Sequence, residues 1–207
     1  MSTTWNPSDK NANITLSNGD LTATGPNGNV DALVRSTTFK SSGKWYFEIT
    51  IGVDTGPNEN GCGFADSTAS LTAYMASDTH SMGLYAGGQG FWADGSRRTY
   101  PNVPSFGDTG DVIQFAIDTA GTVWVGVNGS YGAGNDPATA TGGLAYGAYF
   151  IPTGGDIYIV ADAVESESYT LVFSPNFTYT PPSGFSAWDS SAPSFDASKG
   201  MFLLARG

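Results

Sequence analysis

Residues 110–129, GDVIQFAIDTAGTVWVGVNG, contain two runs in which apolar and polar residues alternate on either side of a short turn. The turn is Thr119-Ala120-Gly121. A two-residue period around a turn that contains glycine predicts an antiparallel β-hairpin with one buried side. The apolar residues that share this side are Ile113, Phe115, Ile117, Val123, Val125 and Val127.

The composition indicates that this hairpin belongs to a larger β-protein. Of the 207 residues, 28 are glycine, 40% are hydrophobic and only 13% are charged, which is about half the usual charged share. So few charges disfavour long helices with salt-bridged faces, and a chain of this length suits one large β-domain. Residues 129–155 are predicted to be a long loop with at most a short edge strand. Further strands are predicted at 44–53, 61–66, 81–86 and 89–94, and residues 156–164 and 169–174 are predicted to form the last strand pair.

The charge and the single cysteine exclude several classes of function. A net charge of −11 with only 8 lysines and arginines argues against binding nucleic acid or an anionic membrane through bulk electrostatics. Cys62 is the only cysteine, which excludes an intrachain disulfide and a multi-cysteine zinc site, and we expect it to be a buried free thiol. No apolar run reaches the roughly 18–20 residues of a membrane helix, and the N-terminus shows no secretory signal. We expect the chain to be made in a cytoplasm and to stay there or leave within an assembly.

Five segments that occur in one order resemble motifs of SPRY domains, the B30.2-like β-sandwiches. They are 42–48 (SGKWYFE), 61–65 (GCGFA), 81–85 (SMGLY), the hairpin of residues 110–129, and 176–185 (NFTYTPPSGF). The resemblance covers about residues 5–188 and implies an all-β fold, a bent sandwich of two antiparallel sheets related to the concanavalin-like jelly roll. It also implies binding through loops at one end of the sandwich, without enzyme activity or a cofactor. We therefore assign residues 1–188 to the sandwich and residues 189–207 to a C-terminal extension.

The lysine-poor composition, rich in glycine, serine, threonine and asparagine, and the closing segment resemble the SPRY-like domains of bacteriophage virion proteins. This resemblance implies a non-enzymatic structural or adhesive component of a phage particle, such as a head decoration, tail or fibre-associated protein, located in the virion. Expected partners are other virion proteins and further copies of the chain. Three alternatives remain open: a carbohydrate-binding adhesin that recognises host surface glycans, a cytosolic adaptor that recognises a peptide, and a sandwich-fold glycosidase.

The first candidate contact site lies in residues 83–98, GLYAGGQGFWADGSRR. An aromatic ring for stacking beside aspartate and arginine suits contact with a sugar or a peptide. The alternative is that Phe91 or Trp92 belongs to the core and that the rest of the segment is turn. The candidate contact residues are Tyr85, Gln89, Trp92, Asp94, Arg97 and Arg98.

The second candidate site is the glycine-rich stretch 129–150. Its residues Tyr131, Tyr146 and Tyr149 resemble the adaptable aromatic contacts of binding loops. The alternative is a loop that covers a sheet edge.

The C-terminal tail is the third candidate, because it ends in a run too apolar for open water. Met201, Phe202, Leu203 and Leu204 are predicted either to form a final strand of the sandwich or to dock on a neighbouring subunit by strand addition.

No stretch of the sequence predicts a catalytic or metal site. Residues 54–60 carry oxygen ligands but lack the alternation of a calcium loop, so we predict a solvated turn there. His80 is the only histidine and is expected to be a polar loop residue, and neither a nucleophile elbow nor a phosphate loop occurs. Acids near strand segments do not form the closely spaced pairs of sandwich-fold glucanases; they are Glu48, Asp66, Asp94 and Asp118.

Overall fold

The computed structural model describes residues 3–55, 61–85, 90–98, 100, 102 and 104–190, together with the backbone of residues 194–196 and 201–203. Two short 3₁₀ helices, Pro137–Thr139 and Thr153–Gly155, lie among the strands and loops of this part. The strands are β1 Trp5–Lys10, β2 Thr15–Ser17, β3 Thr22–Thr24, β4 Leu33–Lys40, β5 Lys44–Val53, β6 Gly61–Ala65, β7 Ser81–Tyr85, β8 Gly90–Ala93, β9 Ser96–Arg98, β10 Val112–Asp118, β11 Thr122–Val127, β12 Leu144–Ala145, β13 Ile157–Asp162, β14 Ser168–Val172, β15 Ser186–Ala187, β16 Ser194–Asp196 and β17 Met201–Leu203.

Most of these strands form two antiparallel sheets that pack face to face around one main core. The first sheet has the order β1-β4-β13-β6-β7-β8-β9. The second sheet has the order β12-β11-β10-β5-β14-β3-β2, and β15 runs parallel to β5 beside this path. The fold is therefore the predicted one, an all-β sandwich of two antiparallel sheets.

The hairpin predicted at residues 110–129 is formed by β10 and β11, which pair in regular register from Ile113 opposite Val127 onward. All the apolar residues of its predicted buried side belong to the main core. At the centre of that core the Phe47 ring of β5 stacks on the Phe115 ring of β10, with 5.0 Å between centroids. The period-two pattern therefore identified both the strands and the face that they bury.

The other clear strand predictions agree with the structure to within one residue at each end. Residues 44–53 form β5, which lies in the middle of the second sheet between β10 and β14. The three following predicted strands are β6, β7 and β8, and they are consecutive neighbours in the first sheet. Cys62 on β6 is a free thiol with no exposed surface, as expected. Its burial raises the pKa of the thiol.

The prediction that residues 156–164 and 169–174 pair with each other is wrong. They form β13, which lies between β4 and β6 in the first sheet, and β14, which lies between β5 and β3 in the second. The link between them bonds to the loop at 25–28 instead of closing a hairpin. A short polar link between two apolar strands is compatible with a turn inside one sheet and with an arch between two sheets, so the pattern alone does not separate them. The bonds run from Glu165 N–H to Gly28 O (3.1 Å), from Ser166 N–H to Pro26 O (2.7 Å) and from Gly25 N–H to Glu167 O (2.9 Å).

Strand β1 was not predicted from the sequence, and its Pro7 lacks the N–H group that a central strand needs. The strand lies at the edge of the first sheet beside β4, and its register is irregular between Trp5 and Lys10. The Trp5 side chain is fully buried, and its Nε1–H donates to the Tyr169 carbonyl of β14 at 3.2 Å. This edge strand therefore connects the two sheets.

The loop 66–80 covers the outer face of the first sheet. Arg35 Nη1 donates to the Ala69 carbonyl at 2.7 Å, and the Met75 N–H group donates to Asp162 Oδ2 at 2.8 Å. Asp162 has no exposed surface, and this burial raises the pKa of its carboxyl to about 8, although the bond from Met75 acts in the opposite direction. Polar groups on the sheet thus hold the loop down at both of these points.

The outer face of the second sheet is covered by the closing segment 175–185 and by the loop that follows β11. Glu48 of β5 is completely buried there. Its carboxylate accepts from the Thr178 and Tyr179 N–H groups at 2.7 and 2.8 Å and from the Tyr46 hydroxyl at 2.7 Å. A buried carboxylate therefore fixes the closing segment to the middle strand of the sheet.

The described part of the C-terminal tail is a separate hairpin. Met201, Phe202 and Leu203 form β17, which pairs with β16 and not with a strand of either sandwich sheet. In the structure this segment is therefore not a final strand of the sandwich. The apolar pattern shows that the segment is extended, but not which strand it pairs with. Leu204 lies outside the described residues, and docking on a neighbouring subunit stays a prediction.

The sandwich itself extends to Trp188, which has no exposed surface and meets the Phe47 ring edge-on at 5.3 Å between centroids. Among the described residues there is no helix with the length and apolar character needed to cross a membrane.

Candidate functional site

Three loops meet at one end of the first sheet, and we call residues 76–80, 93–98 and 146–153 the three-loop surface. The first precedes β7, the second contains the β8–β9 turn, and the third precedes β13, so the strand order and the antiparallel pairing together bring them to the same end. Backbone hydrogen bonds join neighbouring loops, and they run from Gly95 N–H to Ala76 O (2.6 Å), from Asp94 N–H to Asp78 O (3.3 Å) and from Ile151 N–H to Thr79 O (3.1 Å).

The β8–β9 turn has a backbone conformation that its sequence dictates. Asp94 and Gly95 both have positive φ, at 49° and 63°. Two such residues form a type I′ turn, which matches the twist of a two-residue hairpin and favours the sequence Asp-Gly. The turn places Arg97 opposite Trp92 and Arg98 opposite Phe91. The two arginines therefore point to opposite faces of the sheet edge.

Arg98 joins the two candidate segments that the sequence analysis treated separately. The carbon of its guanidinium group lies 4.0 Å from the centroid of the Tyr149 ring. Its Nε donates to the Ala93 carbonyl at 3.0 Å, and its Nη2 is 3.6 Å from Asp94 Oδ2. A planar cation stacked on a ring and held by a carbonyl is fixed in one orientation, because each contact removes a rotational freedom.

The remaining residues of the first candidate site have a different role. Trp92 is half-buried and packs edge-on against Tyr85, with 6.2 Å between ring centroids. Tyr85 itself is buried, and its hydroxyl donates to the Met75 carbonyl, so it supports the loop 66–80 from the interior. Arg97 is exposed on the same face as Trp92. Gln89 lies outside the described residues.

Of the three tyrosines in the second candidate site, Tyr146 and Tyr149 lie in the three-loop surface, and Tyr149 contacts Arg98 there. Tyr146 is buried, and its hydroxyl donates to the Asp118 carbonyl at 3.2 Å. Tyr131 packs against buried side chains on the outer face of the second sheet, and burial raises the pKa of its phenol. Most of the stretch 129–150 therefore covers that outer face, where Trp124 Nε1–H donates to the Thr141 carbonyl at 2.9 Å.

Asp66 fixes the loops of this surface relative to each other. It has no exposed surface, and its Oδ2 accepts from Thr153 N–H and from His80 Nδ1, both at 2.8 Å. Its Oδ1 accepts from Thr68 N–H and Oγ1 at 2.7 Å each and from Ala69 N–H at 3.1 Å. The loop 66–80 and the segment before β13 therefore share one buried carboxylate.

The hydrogen bonds to Asp66 also set the charges at this end. Burial acts against the charged carboxylate, but the bonds from Thr153, His80 and Thr68 outweigh it and lower the pKa of Asp66 to about 2. The bond to Asp66 raises the pKa of His80. His80 lies in a loop, as expected, with 37% of its side chain exposed. The side chain of Asp66 is therefore a charged carboxylate at neutral pH.

Sequence reasoning did not identify Asp66 and Ile151 as parts of a contact surface. Asp66 was noted only as an acid near a strand, and the structure shows that it accepts hydrogen bonds from backbone N–H groups of these loops, as Glu48 does from the closing segment on the other sheet. Ile151, which is 60% exposed and lies beside Thr79, was also missed, because an isoleucine near a strand normally indicates core. An apolar residue directly before Pro152 and outside the alternating pattern was the available signal.

The surface offers a stacked cation, an exposed apolar side chain and ordered backbone, which suit contact with another molecule. In the part of the chain that the structure describes, no group of three or more His, Cys, Asp or Glu side chains is placed to hold a metal ion. Of the predicted solvated turn at 54–60, residues 56–60 lie outside that part.

The fold is similar to that of several solved structures. The SPRY domain of human HERC1 superposes with a TM-score of 0.63 at 16% identity, over 85% of this chain and 99% of that domain. The TRIM65 PSpry domain gives a TM-score of 0.57 at 15% identity, over 83% of this chain and 92% of that chain. Stonustoxin gives 0.55 at 14% identity, over 83% of this chain but only 27% of that chain. No family model and no curated protein matches the sequence. At these identities the likeness shows a SPRY-like fold.

Proposed function

We propose that this chain is a non-enzymatic binding protein that contacts a partner protein through the three-loop surface. The observation that carries the proposal is the Arg98–Tyr149 stack beside the exposed Ile151. Tyrosine and arginine are enriched where interfaces gain most of their binding energy, since both supply a large planar contact area together with hydrogen-bond donors. A SPRY-like fold supports a binding role, but a fold does not identify the ligand.

The charges of the surface favour a partner that is recognised by shape and apolar contact. Arg98 is within 3.6 Å of Asp94, and His80 is bonded to Asp66, so cations here already face carboxylates of the same chain. A net charge of −11 keeps free copies of the chain apart. Electrostatic repulsion therefore opposes contacts between copies, or with other proteins, least at a surface where charges of both signs are mixed.

We place this binding in a phage particle, with other virion proteins and further copies of the chain as the partners. The support is the sequence resemblance to SPRY-like domains of bacteriophage virion proteins, and the rigid, loop-covered sandwich suits a structural component.

A carbohydrate-binding adhesin is the second candidate. It is favoured by the half-buried Trp92 beside the exposed Arg97, because an aromatic face next to a cation suits a sugar ring with polar substituents.

Purified particles test the proposal directly. Particles produced in the presence of tagged chain are banded on a density gradient, and the chain is quantified by mass spectrometry. We expect it to band with intact particles at a fixed ratio to the major capsid protein. Chain that stays entirely at the top of the gradient would contradict the phage assignment.

A matched pair of variants tests the surface. Ile151→Ser should lower incorporation at least fivefold, whereas Val30→Ser, at a residue that is 50% exposed near the opposite end, should leave it unchanged. Equal incorporation of both variants would show that binding lies elsewhere. A glycan array distinguishes the adhesin from the virion component. An adhesin should bind glycans on the array, and the control variant Trp92→Ala should abolish that binding.

A further inference from the structure

Two aromatic side chains meet on the open part of the first sheet's outer face, and we call Phe39 and Tyr158 the outer aromatic pair. They are directly opposite each other on β4 and β13. Their ring centroids are 5.3 Å apart at an interplanar angle of 48°. Phe39 is 46% exposed and Tyr158 is half-buried. Single exposed apolar residues are ordinary on protein surfaces, but two rings in contact on the part of the sheet face that the loop 66–80 leaves open form a patch.

An irregularity in β4 specifies this pair. Val160 is opposite Arg35, yet Tyr158, only two residues away, is opposite Phe39, so β4 contains two extra residues in between. Ser36 holds the irregularity in place, because its hydroxyl accepts from the Ile159 N–H group at 3.0 Å and donates to the Thr38 carbonyl at 2.7 Å. A regular register would place Thr37 opposite Tyr158. Bulges that re-aim a side chain are frequently found beside binding sites.

The charges around the rings have mainly one sign. The pKa of Tyr158 is raised by burial first, and then by the negative charges of Asp156 and Asp9. The nearby cation, Arg35, is only 5% exposed, and two of its nitrogens bond to the carboxylate oxygens of Asp9 at 2.8 Å each. Arg35 is therefore occupied within the chain.

Lys40, which follows Phe39 in β4, is occupied as well. Its Nζ lies 3.6 Å from the centroid of the Trp45 ring and donates to the Ser190 carbonyl at 3.0 Å. The charge of Asp156 is left to face the rings.

We propose that the outer aromatic pair and Asp156 form a docking site for a basic, arginine-containing segment of a partner protein. A guanidinium group can stack on one ring face and bond to a carboxylate at the same time, which an ammonium group does less well. The chain's net charge of −11 favours the approach of a basic segment over an acidic one.

The site is distinct from the three-loop surface. The two share no residue, because the third loop of the three-loop surface ends at residue 153, whereas Asp156 immediately precedes β13, Tyr158 lies on β13 and Phe39 lies on β4. The proposal therefore does not depend on the function proposed for the three-loop surface, and a different experiment tests it.

Three synthetic peptides serve as probes, with the sequences GRVRVRG, GQVQVQG and GEVEVEG, and each is titrated into the full chain while ¹H–¹⁵N spectra are recorded. We expect the arginine peptide to shift amide signals of residues 37–40 and 156–159, with an affinity that falls as NaCl is raised from about 50 to about 300 mM. The glutamine and glutamate peptides should leave these signals unchanged. Shifts confined to other regions, or equal binding of the glutamate peptide, would overturn the proposal.

Variants on the exposed positions keep the test independent of folding. Phe39→Ser should weaken binding of the arginine peptide at least fivefold and Asp156→Asn about threefold, whereas Phe39→Tyr retains a ring and should bind as the parent does. Val30→Ser is the matched control for loss of an exposed apolar residue. Melting curves check that each variant is folded. Unchanged affinity in a folded Phe39→Ser variant contradicts the proposal, as does a chain that dimerises through these residues without peptide.

Discussion

Replacing Asp66 with asparagine tests how the three-loop surface is held together. An asparagine can keep one oxygen for the Thr68 and Ala69 N–H groups, but it then turns an NH₂ group toward the Thr153 N–H and His80. A buried backbone donor loses its acceptor, which costs about 1–3 kcal/mol. The pKa gives a second estimate, because a fall from 3.8 to about 2 corresponds to about 2 kcal/mol at ~1.4 kcal/mol per unit.

The pH dependence separates this explanation from a general loss of packing. The folded chain lowers the pKa of Asp66, so the stabilisation is fully present above about pH 4 and is lost as the pH falls toward 2. Urea unfolding of the parent and of Asp66→Asn should therefore differ by about 2 kcal/mol at pH 7 and by clearly less near pH 2. Asp20→Asn, on the β2–β3 turn, is the control for the same change of charge.

Hydrogen exchange gives the local readout, since the Thr153 amide should lose its protection in Asp66→Asn while amides of β10 keep theirs. The reasoning is refuted if the two proteins differ by less than about 0.5 kcal/mol at pH 7, or if the difference is the same at both pH values.

Four further substitutions have defined outcomes. Asp162→Asn should depend less on pH than the parent in urea unfolding: a folded pKa raised to about 8 makes the parent lose up to about 1.4 kcal/mol per pH unit between pH ~4 and ~8, and the variant lacks this loss. Glu48→Gln should cost about 2–3 kcal/mol and remove hydrogen-exchange protection at Thr178, because that amide loses a charged acceptor. His80→Gln should lower stability below pH ~6.5 and have less effect as the pH rises through the raised pKa of the parent's histidine, and melting temperatures across this range measure it. Arg98→Lys should change the melting temperature little but reduce incorporation into particles, since lysine keeps the charge and loses the planar stack.

The sequence was informative wherever one strand face had to be apolar. The hairpin of residues 110–129 and the strand 44–53 were both located correctly, because alternation reports directly which face meets the core. It was uninformative about which sheet a strand joins. β13 and β14 each lie between two other strands, but in different sheets. The link between them bonds to another loop, and the local sequence pattern does not show this contact.

The site was harder to predict because its geometry depends on loops. Trp92, Arg97 and Arg98 were chosen for chemistry, and only the register set by the I′ turn decides that Arg97 and not Arg98 shares a face with Trp92. Tyr85 and Tyr146 have the composition of contact residues, yet their hydroxyls bond to carbonyls in the interior. Side-chain type indicates what a residue can bind, whereas burial decides whether a partner can reach it.

Hydrogen–deuterium exchange of the chain, free and bound to its particle, tests the central claim that the three-loop surface is the contact surface. The account predicts slower exchange on binding at residues 76–80, 93–98 and 146–153, with little change in the loops at the opposite end of the sandwich. Slower exchange confined to that opposite end, with the three loops unchanged, would contradict it.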